Sequence, residues 1–336
     1  MDGDMKDQDD LGGSRLNPGQ EIHRFPKPLS VNTEMPRLWR QEYLKNRYLL
    51  TTSIEDLEGR MCDIFENIMA LDWDSWKYKT DITIDGGIYY SLPHLDFFRM
   101  MIEVAYEGEL RGRDIIKAND KRKIIDAEKA LIEQKWAVRH EFRTSNKIFS
   151  TAYRKPEKIF RFSAKEFNSS LLHSGKLRFS PSLAYADGAL LPAQFDNENQ
   201  VHVSNGGYYE LESEFWVCSF SCVYELRMYA EFNADSCLVI QDVEEFKRRA
   251  VQSIHRHNSD NEHDVLARAV FSPVVYYDPY KTVDVESANE IHFLKHFRYA
   301  YQKEFRAILM PKRTRPSTPV FLNLGPLTDI AELVSA

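Results

Sequence analysis

Phe297-Arg298-Tyr299-Ala300-Tyr301-Gln302-Lys303-Glu304-Phe305-Arg306-Ala307-Ile308-Leu309-Met310-Pro311 plants a Gln-x-Glu pair in an apolar run. From Tyr299 to Met310 the run reads as a strand, along which successive side chains alternate between faces. Gln302, Glu304 and Arg306 are then expected on one side, with Lys303, Phe305 and Ala307 on the other. A carboxylate aimed from a strand into a cleft is a candidate for chemistry. The plainer alternative is the wet polar face of an edge strand, and the segments around this one decide between the two.

Working outward, the residues after about 150 carry a strand-like period. Lys158–Phe162, Lys176–Ser180, Glu214–Phe220, Ser236–Ile240 and Val270–Tyr277 read as strands. Ala164–His173, closed by Gly175, is expected to be a short helix, as are Tyr224–Phe232 and Val243–Ile254. Tyr276-Tyr277-Asp278-Pro279-Tyr280 has no interleaved Lys or Arg and reads as a strand running into a proline turn. Before residue 150 the period is helical. Ile54, Leu57, Met61, Ile64, Phe65 and Ile68 recur at three- and four-residue steps behind a Thr52-x-x-Glu55 capping box, and Leu95–Tyr106 and Ile125–Phe142 repeat the pattern. Asp81–Tyr90 alternates around Gly86-Gly87 and suggests a hairpin. Residues 1–35, rich in Asp and Pro and poor in large apolar side chains, are expected to be a disordered acidic tail. The expected organisation is that tail, a mostly helical domain over 36–149, and an α+β domain with a mixed, split sheet over 150–336.

Composition narrows the function classes. A chain of 336 residues, 43% hydrophobic and 12% aromatic, is long enough for roughly two cores. The formal charge of −7 and the lack of a Lys/Arg block argue against sequence-independent binding to duplex nucleic acid, which depends on a basic surface. No apolar run approaches the roughly 20 residues that span a bilayer, and the polar, acidic N-terminus lacks the blocks of a signal peptide. A cytoplasmic protein with no membrane association is the expectation. Cys62, Cys218, Cys222 and Cys237 are too scattered for a disulfide framework and read as reduced, apolar thiols, with no metal implied.

Taken in order, Ile159-Phe160-Arg161-Phe162, the short helix, Leu172-x-x-Gly175-x-Leu177-x-Phe179-Ser180-Pro181, Val217-Cys218-Ser219-Phe220-Ser221, Met228-Tyr229, Cys237-Leu238-Val239-Ile240, Lys295 and Gln302-x-Glu304-x-Arg306 resemble a family of bacterial domains of unknown function whose layout is similar to that of ADP-ribosyltransferases. The resemblance covers residues 153–312 and leaves the helical half out. Tyr229 stands where a Trp is expected, and Tyr185-Ala186-Asp187-Gly188 where Asn-Asp-Pro is usual. The resemblance implies NAD as substrate, with a protein or nucleic-acid acceptor. It implies Arg161 on the dinucleotide phosphates, Ser219 and Ser221 at the nicotinamide pocket, Ser180 as a competing serine, Tyr185 as a stacking ring, Glu304 as the catalytic carboxylate and Gln302 as the residue that selects the acceptor.

The chemistry explains those residue types. The nicotinamide–ribose bond breaks through an oxocarbenium-like state, which a nearby carboxylate stabilises and orients. A guanidinium pairs phosphates in a planar, bidentate way. Two functions of different class follow: an NAD-consuming transferase or NAD glycohydrolase, of defence or toxin-effector type and regulated by a partner at its helical half, or an inert domain of the same fold that senses a nucleotide or binds a protein. Convergence of Arg161, a serine and Glu304 on one cleft is what the first requires.

Overall fold

A computed structural model of the chain describes residues 23–24, 30–72, 77–80, 89–90, 92–115, 156–186, 200–203, 207–210, 214–260, 266–281, 291–312 and 316–335. Ten strands and three helices of the C-terminal half matter here. The strands are β1 (Ile159–Ser163), β2 (Lys176–Pro181), β3 (Trp216–Ser221), β4 (Ser236–Ile240), β5 (Leu266–Pro273), β6 (Val275–Tyr277), β7 (Leu294–His296), β8 (Glu304–Pro311), β9 (Val320–Asn323) and β10 (Ala331–Ser335). The helices, counted after three in the N-terminal half, are α4 (Lys165–Ser174), α5 (Arg227–Glu231) and α6 (Val243–Asp260).

The main sheet runs β5-β8-β3-β1-β4-β10, with β2 paired to β3 on one edge and to β9 on the other. These pairings are antiparallel. The protein is therefore a mixture of helix and sheet, as expected. β4 is buried at all five positions, as a strand covered on both faces must be. On one face, Val243, Phe246, Ala250 and Ile254 of α6 and Leu171 and Leu172 of α4 close over Ile159, Leu238, Cys218 and Phe305. On the other, Tyr224, Leu226 and Tyr229 cover Phe160, Cys237 and Val239. Cys218, Cys222 and Cys237 are buried free thiols, and burial pushes the first two up to about 11 and about 12, which favours the protonated thiol.

Around β3 the sheet splits. β1 joins the edge of β3 only at its C-terminal end, Phe160 opposite Ser221. β2 joins the same edge only at the N-terminal end, Ser180 opposite Val217 and Pro181 opposite Trp216. Between them, Cys218–Phe220 has a strand on one side only, β8. The crossover β1-α4-β2 bridges this gap. Gly175 ends α4 at φ +68 and its N–H donates to the Leu171 carbonyl, the left-handed cap that glycine adopts without strain.

In the N-terminal half, α1 (Ser30–Asn46), α2 (Ile54–Ile68) and α3 (Leu92–Leu110) pack together. Leu57, Met61, Ile64 and Ile68, the stripe read from the sequence, are buried in one cluster with Phe97, Met100 and Val104. That cluster also contains Phe297 and Ala300 of the C-terminal half. The bidentate Arg60–Asp278 pair crosses the same boundary, and the Arg60 guanidinium lies over the rings of Tyr280 and Phe297.

Several expectations need correction. The tail expected over 1–35 overlaps described elements, because α1 begins at Ser30 with Pro36 inside it and His23–Arg24 pairs with Tyr89–Tyr90. Once a helix is nucleated, extending it backward costs little, and the prolines of this stretch were poor stop signals. The cap of α2 is Ser53, whose Oγ accepts from the Asp56 N–H and donates to its carboxylate, one step on from Thr52. Val270–Tyr277 is two strands, β5 and β6. The expected helix over 125–142 and the turn of the 81–90 hairpin lie outside the described residues. Among the described residues no helix is long and apolar enough to cross a membrane.

Candidate functional site

The largest correction falls on the opening stretch. Phe297–Gln302 is a 3₁₀ turn and β8 begins only at Glu304. Lys303 between them adopts φ +48, and its N–H donates to the Ala300 carbonyl. A left-handed residue breaks the alternation of a strand, so Gln302 is not placed by the pleat; Glu304 and Arg306 are. Apolar content alone does not separate a buried turn from a strand, which is why the sequence ran the strand back to Tyr299.

Glu304 is fixed at both its main-chain and its side-chain ends. Its N–H donates to the Tyr276 hydroxyl at 2.8 Å, and its carbonyl accepts from the Val274 N–H. Its carboxylate is buried, 4% exposed. Oε1 accepts from Ser219 Oγ at 2.6 Å and from Arg306 Nε at 2.8 Å, and Oε2 accepts from Lys295 Nζ at 2.9 Å. Burial alone would raise its pKa, but the Arg306 and Lys295 charges and the Arg306 and Ser219 hydrogen bonds outweigh it and hold the carboxyl well below its ordinary range. The two cations and the Ser219 hydroxyl thus favour Glu304 as a carboxylate, suited to electrostatic stabilisation. A carboxylate has about four acceptor sites. Three are taken by described residues, and one, on Oε2, is left toward the cleft.

The split between β1 and β2 opens into a cavity of about 760 Å³, within the usual range of a ligand pocket, about 300–1,000 Å³. All seven residues singled out in the sequence line it: Arg161, Ser180, Tyr185, Ser219, Ser221, Gln302 and Glu304. They do not play equal parts. Ser219 touches Glu304 directly. Ser221 donates to the Gln302 carbonyl at 2.8 Å and accepts from the Val223 N–H at 3.1 Å, so its hydroxyl locks the turn before β8. Gln302 is buried, with its Nε2 3.4 Å from Tyr301 Oη. Tyr185 sits in the 3₁₀ turn Ser182–Ala186 after β2 and packs on Phe215, Val217, Phe293 and Ile308.

Register sorts the site by face. Phe160, Ser221 and Glu304 are cross-strand partners in one row and share a face, as partners in a ladder do. Ser180 is opposite Val217, two and four residues from Ser219 and Ser221, so it shares that face too. Arg161 follows Phe160 and emerges on the opposite face, where its Nη1 donates to Asn168 Oδ1 of α4 at 2.8 Å. It reaches the cavity because the sheet is open there.

Sequence reasoning gave no role to Lys295, Lys176 or Arg178, which also line the cavity. Lys295 lay within the resemblance but nine residues before Glu304. Only the parallel pairing of β7 with β6 and the intervening turn bring it back. For Lys176 and Arg178 the signal was present: Lys-x-Arg-x-Ser on an alternating strand places all three on one side. Among the described residues no group of three or more His, Cys, Asp or Glu could hold a metal ion. Set against family models, curated proteins and solved structures, the chain matches none of them.

Proposed function

We propose that the split cleft binds NAD and that the protein breaks the nicotinamide–ribose bond, as an ADP-ribosyltransferase or NAD glycohydrolase on an ADP-ribosyltransferase-like domain. The observation that carries this reading is convergence: a Glu304 carboxylate oriented by Ser219 opens onto one cavity with Ser221 and Gln302. The unused acceptor site of Oε2 suits a ribose hydroxyl. A carboxylate there orients the sugar and stabilises positive charge that develops only in the transition state. The aromatic walls supplied by Phe160, Phe162 and Tyr185 offer flat surfaces for the nicotinamide and the base.

One observation favours the alternative, a nucleotide-binding domain without turnover. The Glu304 carboxylate is already ion-paired to both Lys295 and Arg306, which weakens the stabilisation it can offer an oxocarbenium-like state. Incubation with NAD decides: nicotinamide release above the uncatalysed rate, with or without transfer of labelled ADP-ribose to proteins of a lysate, supports the enzyme. Binding of NAD with no release supports the sensor, and the absence of binding removes both.

A further inference from the structure

The strand β2 lays Lys176, Arg178 and Ser180 along one wall of the cavity. They alternate with buried Leu177 and Phe179, so all three share a face. Since Ser180 is opposite Val217 in the ladder, that is also the face of Ser219 and Glu304. Successive members of the row are about 7 Å apart at Cα, close enough for a lysine and an arginine side chain to converge on one diphosphate. Lys176 is steadied by the ring of Phe321, 4.5 Å from its Nζ, and Phe321 is itself opposite Arg178 across the β2–β9 ladder.

Charge accounting points the same way. Among the described residues, neither Lys176 nor Arg178 is in an ion pair, whereas Lys295 is ion-paired to Glu304. Among the described residues, the one further carboxylate lining the cavity is Glu166. Arg161 differs from the β2 pair: it stands on the other face and is tied to Asn168, which is fully buried and whose amide donates to the Arg161 carbonyl and to Ser236 Oγ. Its guanidinium fastens α4 to β1.

We propose that Lys176, Arg178 and Ser180 form the subsite for the diphosphate of a nucleotide, and that Arg161 fastens α4 to the sheet and is not the phosphate ligand. The inference rests on the nucleotide reading of the cleft and assigns its phosphate end. Two cations and a hydroxyl on Glu304's face place a diphosphate along β2 while the ribose reaches Oε2.

The test is calorimetric titration of ADP and of inorganic pyrophosphate into the wild type, Lys176→Ala, Arg178→Ala, Arg178→Gln and Arg161→Lys, with a thermal melt of each. Loss of a charge-assisted contact is expected to weaken ADP binding about tenfold or more for each β2 variant. Those variants should keep the wild-type melt, because both cationic side chains are exposed. Arg161→Lys should hold ADP within about threefold and melt earlier, since an ammonium does not reproduce the guanidinium fork. The Arg178→Gln variant keeps the side-chain stem and guards against misfolding of the Ala variant. Wild-type affinity for ADP in the β2 variants overturns the subsite, while nicotinamide release continues to support the NAD reading. ADP binding that depends on β2 in a protein that releases no nicotinamide leaves the subsite standing and removes the catalytic reading. Failure of the wild type to bind either probe overturns the subsite.

Discussion

Glu304 is ion-paired to both Lys295 and Arg306, and this governs what its replacement does. Glu304→Gln removes the carboxylate that buried Lys295 and Arg306 share, a loss expected to cost about 3–5 kcal/mol of stability. Adding Lys295→Met removes one of the two cations that lost the carboxylate and should recover part of that loss in a urea titration. Turnover should stay down by about 10²-fold or more in both, because the transition-state contact is gone; recovery of activity in the double variant would remove Glu304 from the chemistry. The sign of the pH effect follows from the lowered folded pKa. The stability Glu304 contributes is present above its ordinary pKa of 4.5 and is lost as pH falls through the acid range; acid melts of the wild type and of the double variant check it. Gln302→Ala should lower transfer to an acceptor while sparing hydrolysis, since water needs no such orientation, and a paired assay of nicotinamide release and label transfer reads the split. At this scale the sequence was informative, since alternation put Glu304 and Arg306 on one face; the Ser-x-Ser strand entered through the resemblance alone. What it lacked was the backbone conformation of Lys303 and the partner Lys295, which depend on contacts distant along the chain.

For the elements, the join between α4 and β2 carries the geometry of the cleft. A Cβ on Gly175 would lie 2.0 Å from the Gly325 carbonyl oxygen, and Leu324 and Leu327 donate their N–H groups to the Gly175 and Leu172 carbonyls. Gly175→Ala therefore strains a positive φ and drives backbone into backbone. It should destabilise the protein by several kcal/mol and weaken ligand binding at β2, measured as a lowered melt and a raised ADP Kd; a wild-type melt would contradict the packing described. The sequence showed Gly175 as a helix stop. It did not show β9 and β10, because Val320–Asn323 and Ala331–Ser335 are short edge strands with only partial burial, and their pairing with β2 and β4 is a tertiary choice that local pattern does not encode.

Across the whole molecule, the helical half is built into the support of the site. Asn67 of α2 donates to the Arg298 carbonyl and accepts from the Tyr301 N–H, and Arg227 lies 3.6 Å over the Tyr301 ring while its Nη1 donates to the Glu66 carbonyl. Asp278→Ala leaves the fully buried Arg60 side chain without its carboxylate, with an expected cost of about 3–5 kcal/mol, read as a shift in the denaturant midpoint. Asn67→Ala should cost about 1–3 kcal/mol through the unsatisfied Tyr301 N–H and should lower nicotinamide release although Asn67 does not line the cavity. The change of hydrophobic period near Lys147 divides the sequence into two textures, yet Phe297 and Ala300 complete the core of the first with residues of the second. A protease that nicks the chain between residues 116 and 155 should accordingly yield two pieces that co-elute and retain NAD binding. Either piece produced alone should be poorly soluble, and mixing the two should restore what neither has: a first core closed by Phe297 and Ala300.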